Sequence, residues 1–327
     1  MSRDLDEHRQ YLADAPRVEA FRLAIAEVVR PGDVVVDLAA GSGVLGLLAR
    51  LDHLDHVGFQ PDLAESRVRI DQRLAVHVLG PAVLVAQEGV EGLDLAVAPN
   101  EILGLIGPNG SGKTTFFNVV TGIYGADAGS VTFDGVDITK AASRAVFRAG
   151  ISRTFQRSRL SLPLSIFDNI MIGNHMRLNQ GLWFNLIRRA DFKREFEENY
   201  RAARALVEVF EPELADRLYE PVAGLPMIDR RRIEICRALI SAPRLLLLDE
   251  PSAGMTHDET AELMDDILLV RERNKNLTIV IVEHEMGVIE RITDRCVVLN
   301  FGRKIAEGPY REVAADPQVQ EAYLGVA

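Results

Sequence analysis

Residues 101–120 read Glu101-ILGLIGPNGSGKTTFFNV-Val120: an apolar run from Ile102 to Ile106, a glycine-rich turn, and a helical pattern opening at Lys113. Within it Gly107, Gly112, Lys113 and Thr114 stand at the spacing of a phosphate-binding loop. Such a loop turns successive backbone N–H groups into a concavity at the start of a helix, where partial positive charge collects. Gly110 and Gly112 let the backbone approach oxygen atoms that a Cβ would fend off. The Lys113 ammonium can reach terminal phosphates, and the Thr114 hydroxyl can ligate Mg²⁺. Strand, glycine turn and helix in that order predict an α/β protein that binds a nucleotide.

Working outward, the 327 residues suffice for one large domain or two moderate ones. With 48 acidic against 37 basic residues the net charge is −11, which argues against nucleic acid or an anionic membrane surface as a partner. No apolar run approaches the length of a bilayer span, and the amino terminus MSRDLDEHRQYL is too charged for a signal peptide, so a cytoplasmic location is expected, with any membrane contact made through a partner. Cys236 and Cys296 lie far apart in apolar segments and read as buried, reduced thiols.

Two later runs, Leu245 to Leu248 and Leu277 to Val282, are continuously apolar, as strands covered on both faces must be. Each ends in chemistry, Asp249-Glu250 and Glu283-His284, and ligands of an open α/β sheet bind at the carboxyl ends of its strands. Three strand ends are therefore expected to converge on one nucleotide. Asp249 is the residue type that holds Mg²⁺ opposite Thr114, Glu250 can orient or deprotonate the attacking water, and the Gln156 amide can touch both metal and water. Asp134-Gly135 between short apolar runs predicts a hairpin. Leu74 to Leu79 and Leu93 to Val97 alternate as strands do, and residues 141–215 read as mostly helical. There Phe192, Phe196, Tyr200, Leu206, Val207 and Phe210 share one helical face, a packing stripe. Leu182, Trp183, Leu186 and Ile187 form a shorter apolar cluster.

Taken together, these elements resemble the nucleotide-binding subunits of ABC transporters over about Leu74 to Ala327. The resemblance implies a P-loop ATPase of ABC type, with a parallel core sheet, an antiparallel β subdomain and a helical subdomain. It implies ATP and Mg²⁺ as ligands. ATP would be bound by Gly107, Pro108, Asn109, Gly110, Ser111, Gly112, Lys113, Thr114 and Thr115. Thr114, Gln156 and Asp249 would serve the metal, and Glu250, His284 and Gln156 catalysis. Two such subunits close around two ATP molecules and drive membrane-spanning permeases, so the expected place is the cytoplasmic face of the plasma membrane. Within the family the chain is similar to the ATPases of branched-chain amino-acid importers, through the insertion around Asn174 to Tyr200, the phrase Arg230 to Ala238, and the ending Asp316 to Gly325. That ending is shared with lipopolysaccharide-export ATPases. An extracytoplasmic binding protein would be an indirect partner.

Residues 1–70 look like a different piece of protein. Asp37 to Gly43 resembles the first motif of S-adenosylmethionine-dependent methyltransferases, but the likeness is short of the ~100–150 residues of a typical fold, so a truncated or fused segment is expected, ahead of an ATPase domain at 74–327. The alternatives are a bifunctional or methyltransferase-related enzyme, or a lipopolysaccharide-export-type or nontransport ABC ATPase.

The sequence also departs from the ABC pattern. The signature loop, Leu-Ser-Gly-Gly-Gln in the family, is Leu225-Pro226-Met227-Ile228-Asp229 ahead of a helix expected from Arg230. Proline removes a hydroxyl and an N–H donor, and Met227 and Ile228 would put side chains where the partner's phosphate approaches. An asymmetric heterodimer with a second ATPase subunit is expected. The aromatic residue on which the family stacks adenine has no counterpart near Leu84, with Phe59 as a candidate substitute. Thr256-His257 replace the aspartate that follows the catalytic strand, and His257 reads as a loop histidine.

Overall fold

The computed structural model describes residue 90 and residues 93–324, apart from 127, 157–159 and 179–188. The methyltransferase-like segment, Phe59, Leu74 to Leu79, Leu84 and the Trp183 cluster lie outside the described residues. In chain order the elements are β1 (Ile102–Ile106), α1 (Lys113–Val120), β2 (Thr132–Phe133), β3 (Val136–Asp137), α2 (Ser143–Ala149) and β4 (Ile151–Arg153). Then follow α3 (Ile166–Ile172), α4 (Arg189–Phe210), α5 (Pro212–Ala215), α6 (Met227–Leu239), β5 (Leu245–Asp249), α7 (His257–Arg273) and β6 (Thr278–Val282). The chain closes with α8 (Met286–Ile292), β7 (Arg295–Asn300), β8 (Arg303–Gly308), α9 (Tyr310–Ala314) and α10 (Pro317–Leu324). They form two compact units, residues 160–240 and the segments on either side of them.

In the flanking unit a six-stranded sheet runs β4-β5-β6-β1-β7-β8. The first five strands are mutually parallel and β8 is antiparallel to β7. Every residue of β1, β5 and β6 is buried, which is why their sequences run apolar without alternation. Phe116 and Phe117 of α1 are fully buried in the same core, each stabilising it by roughly 1.5–3 kcal/mol. Asp134 and Gly135 take φ of 56° and 76°, the paired left-handed turn that lets β2 and β3 fold back on each other. Cys236 and Cys296 are both buried, as expected.

Three boundaries differ from expectation. β4 lies inside the stretch read as helical; it pairs with β5 from Ile151 opposite Leu245 to Arg153 opposite Leu247. Three residues are too few to show a period, and the strand exists because that edge of β5 needs a partner. Leu93 to Val97 buries Leu93, Leu95 and Val97 in alternation but joins no ladder. The Asp94 carbonyl instead accepts from Lys304 Nζ at 2.7 Å and the Ala96 carbonyl from the Arg295 guanidinium. α6 starts at Met227 rather than Arg230, with Pro226 at the N-cap position and no side-chain cap bond.

In the unit of residues 160–240, α4 buries Ala203, Val207 and Phe210, half-buries Phe196 and Tyr200, and exposes Lys193 and Arg194, so the stripe is packing as expected. Phe167 of α3 meets Phe196 edge-on at 5.4 Å, and Tyr219 stacks on Tyr200 at 5.6 Å; such pairs contribute about 0.5–1.5 kcal/mol each. Ser165 caps α3 by accepting from the Asp168 N–H. Where α3 ends against α6, a Cβ on Gly173 would fall 1.8 Å from the Arg237 carbonyl oxygen.

Candidate nucleotide site

The loop between β1 and α1 is shaped by its glycines. Gly107, Gly110 and Gly112 have φ of 147°, 78° and 103°, conformations that other residues rarely adopt. A Cβ on Gly107 would lie 2.1 Å from the Leu299 carbonyl oxygen, so the loop is seated on the end of β7; above Gly110 there is open space. Gly302, just past β7, donates its N–H to the Ser111 carbonyl at 3.0 Å and fixes the loop from the same side. Lys113 is buried, its Nζ donating to the carbonyls of Gly107 at 2.6 Å and Pro108 at 2.9 Å. Burial pulls its pKa below the usual lysine range, while the charges of Glu250 and Asp249 push back. Both acidic residues act on this lysine, so the ends of β5 and the loop after β1 form one electrostatic site.

Glu250 follows β5 with φ of 47°. Its N–H donates to the Val282 carbonyl of β6 at 2.9 Å, which holds the kink. Both of its carboxylate oxygens are engaged: Gln156 Nε2 donates to Oε2 at 2.6 Å, and His284 Nε2 lies 2.7 Å from Oε1. The structure brings Gln156, Glu250 and His284 into contact. Gln156 arrives from the end of β4, so four strand ends converge rather than three.

Arg153 was not singled out in the sequence. Its Nη2 donates to Asp249 Oδ2 at 2.7 Å, with both side chains 5% exposed. Its Nη1 donates to Asn118 of α1 at 2.7 Å, and its guanidinium lies between the rings of Phe117 at 5.2 Å and Phe155 at 5.1 Å. Asp249 is fixed by this arginine and by a bond from its own N–H to the Thr154 hydroxyl. Glu283 is a second buried carboxylate; Ser252 N–H donates to Oε1 at 2.8 Å and His284 N–H to Oε2 at 3.3 Å. Burial raises its pKa above the usual range, those two backbone donors oppose the rise, and the Glu250 charge adds to it. Tyr323, from α10, has its phenol beside the Gly107 backbone; burial pushes its pKa up to about 12 against that hydrogen bond.

In the other unit Leu225 and Ile228 are buried, while Met227 is 44% exposed. Ile228 thus does not block a phosphate as expected; it is part of the core, and Met227 alone projects. Asp229 is held by Arg232 at 3.2 Å. The N–H groups of residues 227–229 lie in the first turn of α6, where a helix has no internal acceptor for them. Thr256 and Glu259 form a reciprocal cap at the start of α7, and His257 is its exposed first residue rather than part of a loop.

The residues present fit a phosphate chain. The Ser111 hydroxyl is buried without a protein partner, Gly110 borders open space, and the backbone N–H groups of the loop lead into α1. For a magnesium ion the available donors are the exposed Thr114 hydroxyl, the Asp249 carboxylate and the Gln156 amide, all hard oxygens of the kind that ion prefers.

A glycine-shaped phosphate loop on a parallel strand, with a buried lysine and acidic residues ending the neighbouring strands, defines a P-loop nucleoside triphosphatase. The profile of the ABC transporter family matches residues 90–253, and that of the branched-chain amino acid ATP-binding cassette transporters matches residues 303–327. The chain belongs to the ABC transporter family and is an ABC-type ATPase. It is 36% identical over 239 residues to the high-affinity branched-chain amino acid transport ATP-binding protein LivG of Escherichia coli, covering 73% of this chain and 92% of that protein. The figures are the same for BraF of Pseudomonas aeruginosa, which bears the same description. Among solved structures, the ADP conformation of an ATP-binding cassette of an ABC transporter superposes with a TM-score of 0.63 at 28% identity, covering 76% of this chain and 97% of that one. A nucleotide-free ATP-binding cassette superposes with a TM-score of 0.62 at 28% identity, covering 76% and 98%. Neither profile reaches residues 1–89, and the methyltransferase likeness of that segment finds no support. Among the described residues no helix is long and apolar enough to cross a membrane.

Proposed function

We propose that this chain is the ATP-hydrolysing subunit of an importer for branched-chain amino acids or related small polar molecules, seated against permease subunits on the cytoplasmic face of the membrane. The observation that carries the reading is the Glu250 carboxylate, gripped through one oxygen by Gln156 and through the other by His284, at the end of the strand whose Asp249 and Glu250 charges act on Lys113. The loop N–H groups and Lys113 bind the phosphates of ATP. Glu250, oriented by its two contacts, positions the attacking water and accepts its proton, and His284 senses the terminal phosphate. Mg²⁺ held by Thr114, Asp249 and Gln156 would neutralise charge developing on the phosphates.

The chain acts in an asymmetric pair. The support is Pro226, which lacks both hydroxyl and N–H, and Met227, which projects from the start of α6. An extracytoplasmic binding protein delivers the substrate. The ATPase domain is residues 74–327, with 1–70 a separate segment; in support, both family profiles match only within the former.

The test is ATP hydrolysis by the purified chain alone, and with a second ATPase subunit carrying Leu-Ser-Gly-Gly-Gln and the permeases. Low turnover alone and strong turnover in the complex are expected, with Glu250→Gln lowering the latter at least a hundredfold. Vigorous hydrolysis by the isolated chain refutes the asymmetric pairing, and full activity of Glu250→Gln refutes the catalytic assignment.

A further inference from the structure

Phe301 is the most exposed large apolar side chain among the described residues, at 87%. It also occupies a left-handed backbone conformation, with φ of 44°, followed by Gly302 at 76°. The two form the tight turn between Asn300 and Arg303, which pair across β7 and β8. A turn of that shape favours asparagine or aspartate before its glycine, because a bulky residue with positive φ is strained. An aromatic ring here carries two penalties, strained backbone and lost burial, and no contact among the described residues returns them. Such an outlier points toward a function for the side chain.

Its place suggests which. The turn is fastened to the phosphate loop at two points, by the Gly302 N–H on the Ser111 carbonyl at 3.0 Å and by the close approach of the Leu299 carbonyl to Gly107. The sheet order sets β7 beside β1 on the flank opposite β6 and β5. On the proposed function, on which this inference rests, the terminal phosphate points toward Glu250 and His284 at the ends of β5 and β6. The rest of the nucleotide then leads across the loop toward the end of β7, where Phe301 stands. Tyr124, another exposed aromatic side chain, follows the far end of the eight-residue α1, ~12 Å along the helix from the loop.

We propose that Phe301 recognises the base: its ring stacks on the purine of the bound nucleotide and makes the exposed turn part of the binding site. Stacking of a base on an aromatic ring needs only two flat faces, and its loss typically weakens binding by roughly fivefold to a hundredfold.

The experiment compares binding of ADP and of inorganic pyrophosphate, both with Mg²⁺, by calorimetry on the full chain and on Phe301→Ala, Phe301→Tyr and Lys113→Ala. ADP affinity should fall about tenfold or more in Phe301→Ala and return in Phe301→Tyr, while pyrophosphate affinity stays within about twofold. Lys113→Ala should weaken both ligands. If Phe301→Ala binds ADP as the unaltered chain does, or loses ADP and pyrophosphate equally, the proposal is overturned and the phosphate-loop reading stands. If the unaltered chain binds neither ligand, the proposed function fails, and this inference with it.

Discussion

Arg153→Ala should be among the most destabilising single changes in the nucleotide-binding unit. The arginine and Asp249 are both 5% exposed and 2.7 Å apart, so truncation leaves a carboxylate in the core without its cation. Breaking one side of a buried pair costs about 3–5 kcal/mol. The Asn118 carbonyl loses a donor at the same time, and the faces of Phe117 and Phe155 lose a cation. Lys113 lies close enough to feel the Asp249 charge, and this places the expected cost at the lower end, about 3 kcal/mol. At roughly 2–4 °C per kcal/mol for a domain of this size, the melting temperature should drop by about 10 °C in scanning calorimetry. The double variant Arg153→Met, Asp249→Leu should lose clearly less than the sum of its single changes, because it leaves no charge stranded. A loss under about 1 kcal/mol for Arg153→Ala, or strict additivity in the double variant, would refute the claim that the pair acts as a unit.

Two further outcomes follow from the packing. Burial holds the Glu283 pKa above its ordinary 4.5, so the folded state keeps that proton more tightly than the unfolded chain, and stability must slope downward as pH rises through the window that opens there. Glu283→Gln should remove this slope, so the melting temperature of the variant should gain on the unaltered protein as pH rises above 4.5; a difference that is constant with pH would contradict it. Gly173→Ala sets a methyl group 1.8 Å from the Arg237 carbonyl and should cost about 1–3 kcal/mol in urea unfolding, with no cost if α3 and α6 are not in fact packed that closely.

Much of this was legible in the sequence, for identifiable reasons. The phosphate loop, the Asp134-Gly135 hairpin and the unbroken apolar runs of β5 and β6 each obey a local rule, and each formed as read. The meeting of Glu250 and His284 followed once β5 and β6 were placed in one sheet, whereas Gln156 joins them from beyond β4. β4 did not show, because it is three residues long and exists to cover an edge of β5, a tertiary cause. The entry of α6 was misplaced because Pro226 reads as a loop residue when the helix begins immediately after it, and with it the direction of Ile228 was lost. Arg153 was missed since nothing local to it reports that it will reach Asp249.

Glu250 at φ of 47° has a cost of its own. A glycine or asparagine would accept that bend almost freely, whereas a glutamate there stores on the order of 1–3 kcal/mol. The surrounding sheet thus holds at this corner a side chain that its own main chain would reject. Durability and turnover pull against each other at a single peptide, and a descendant relieved of its work would be free to relax there first.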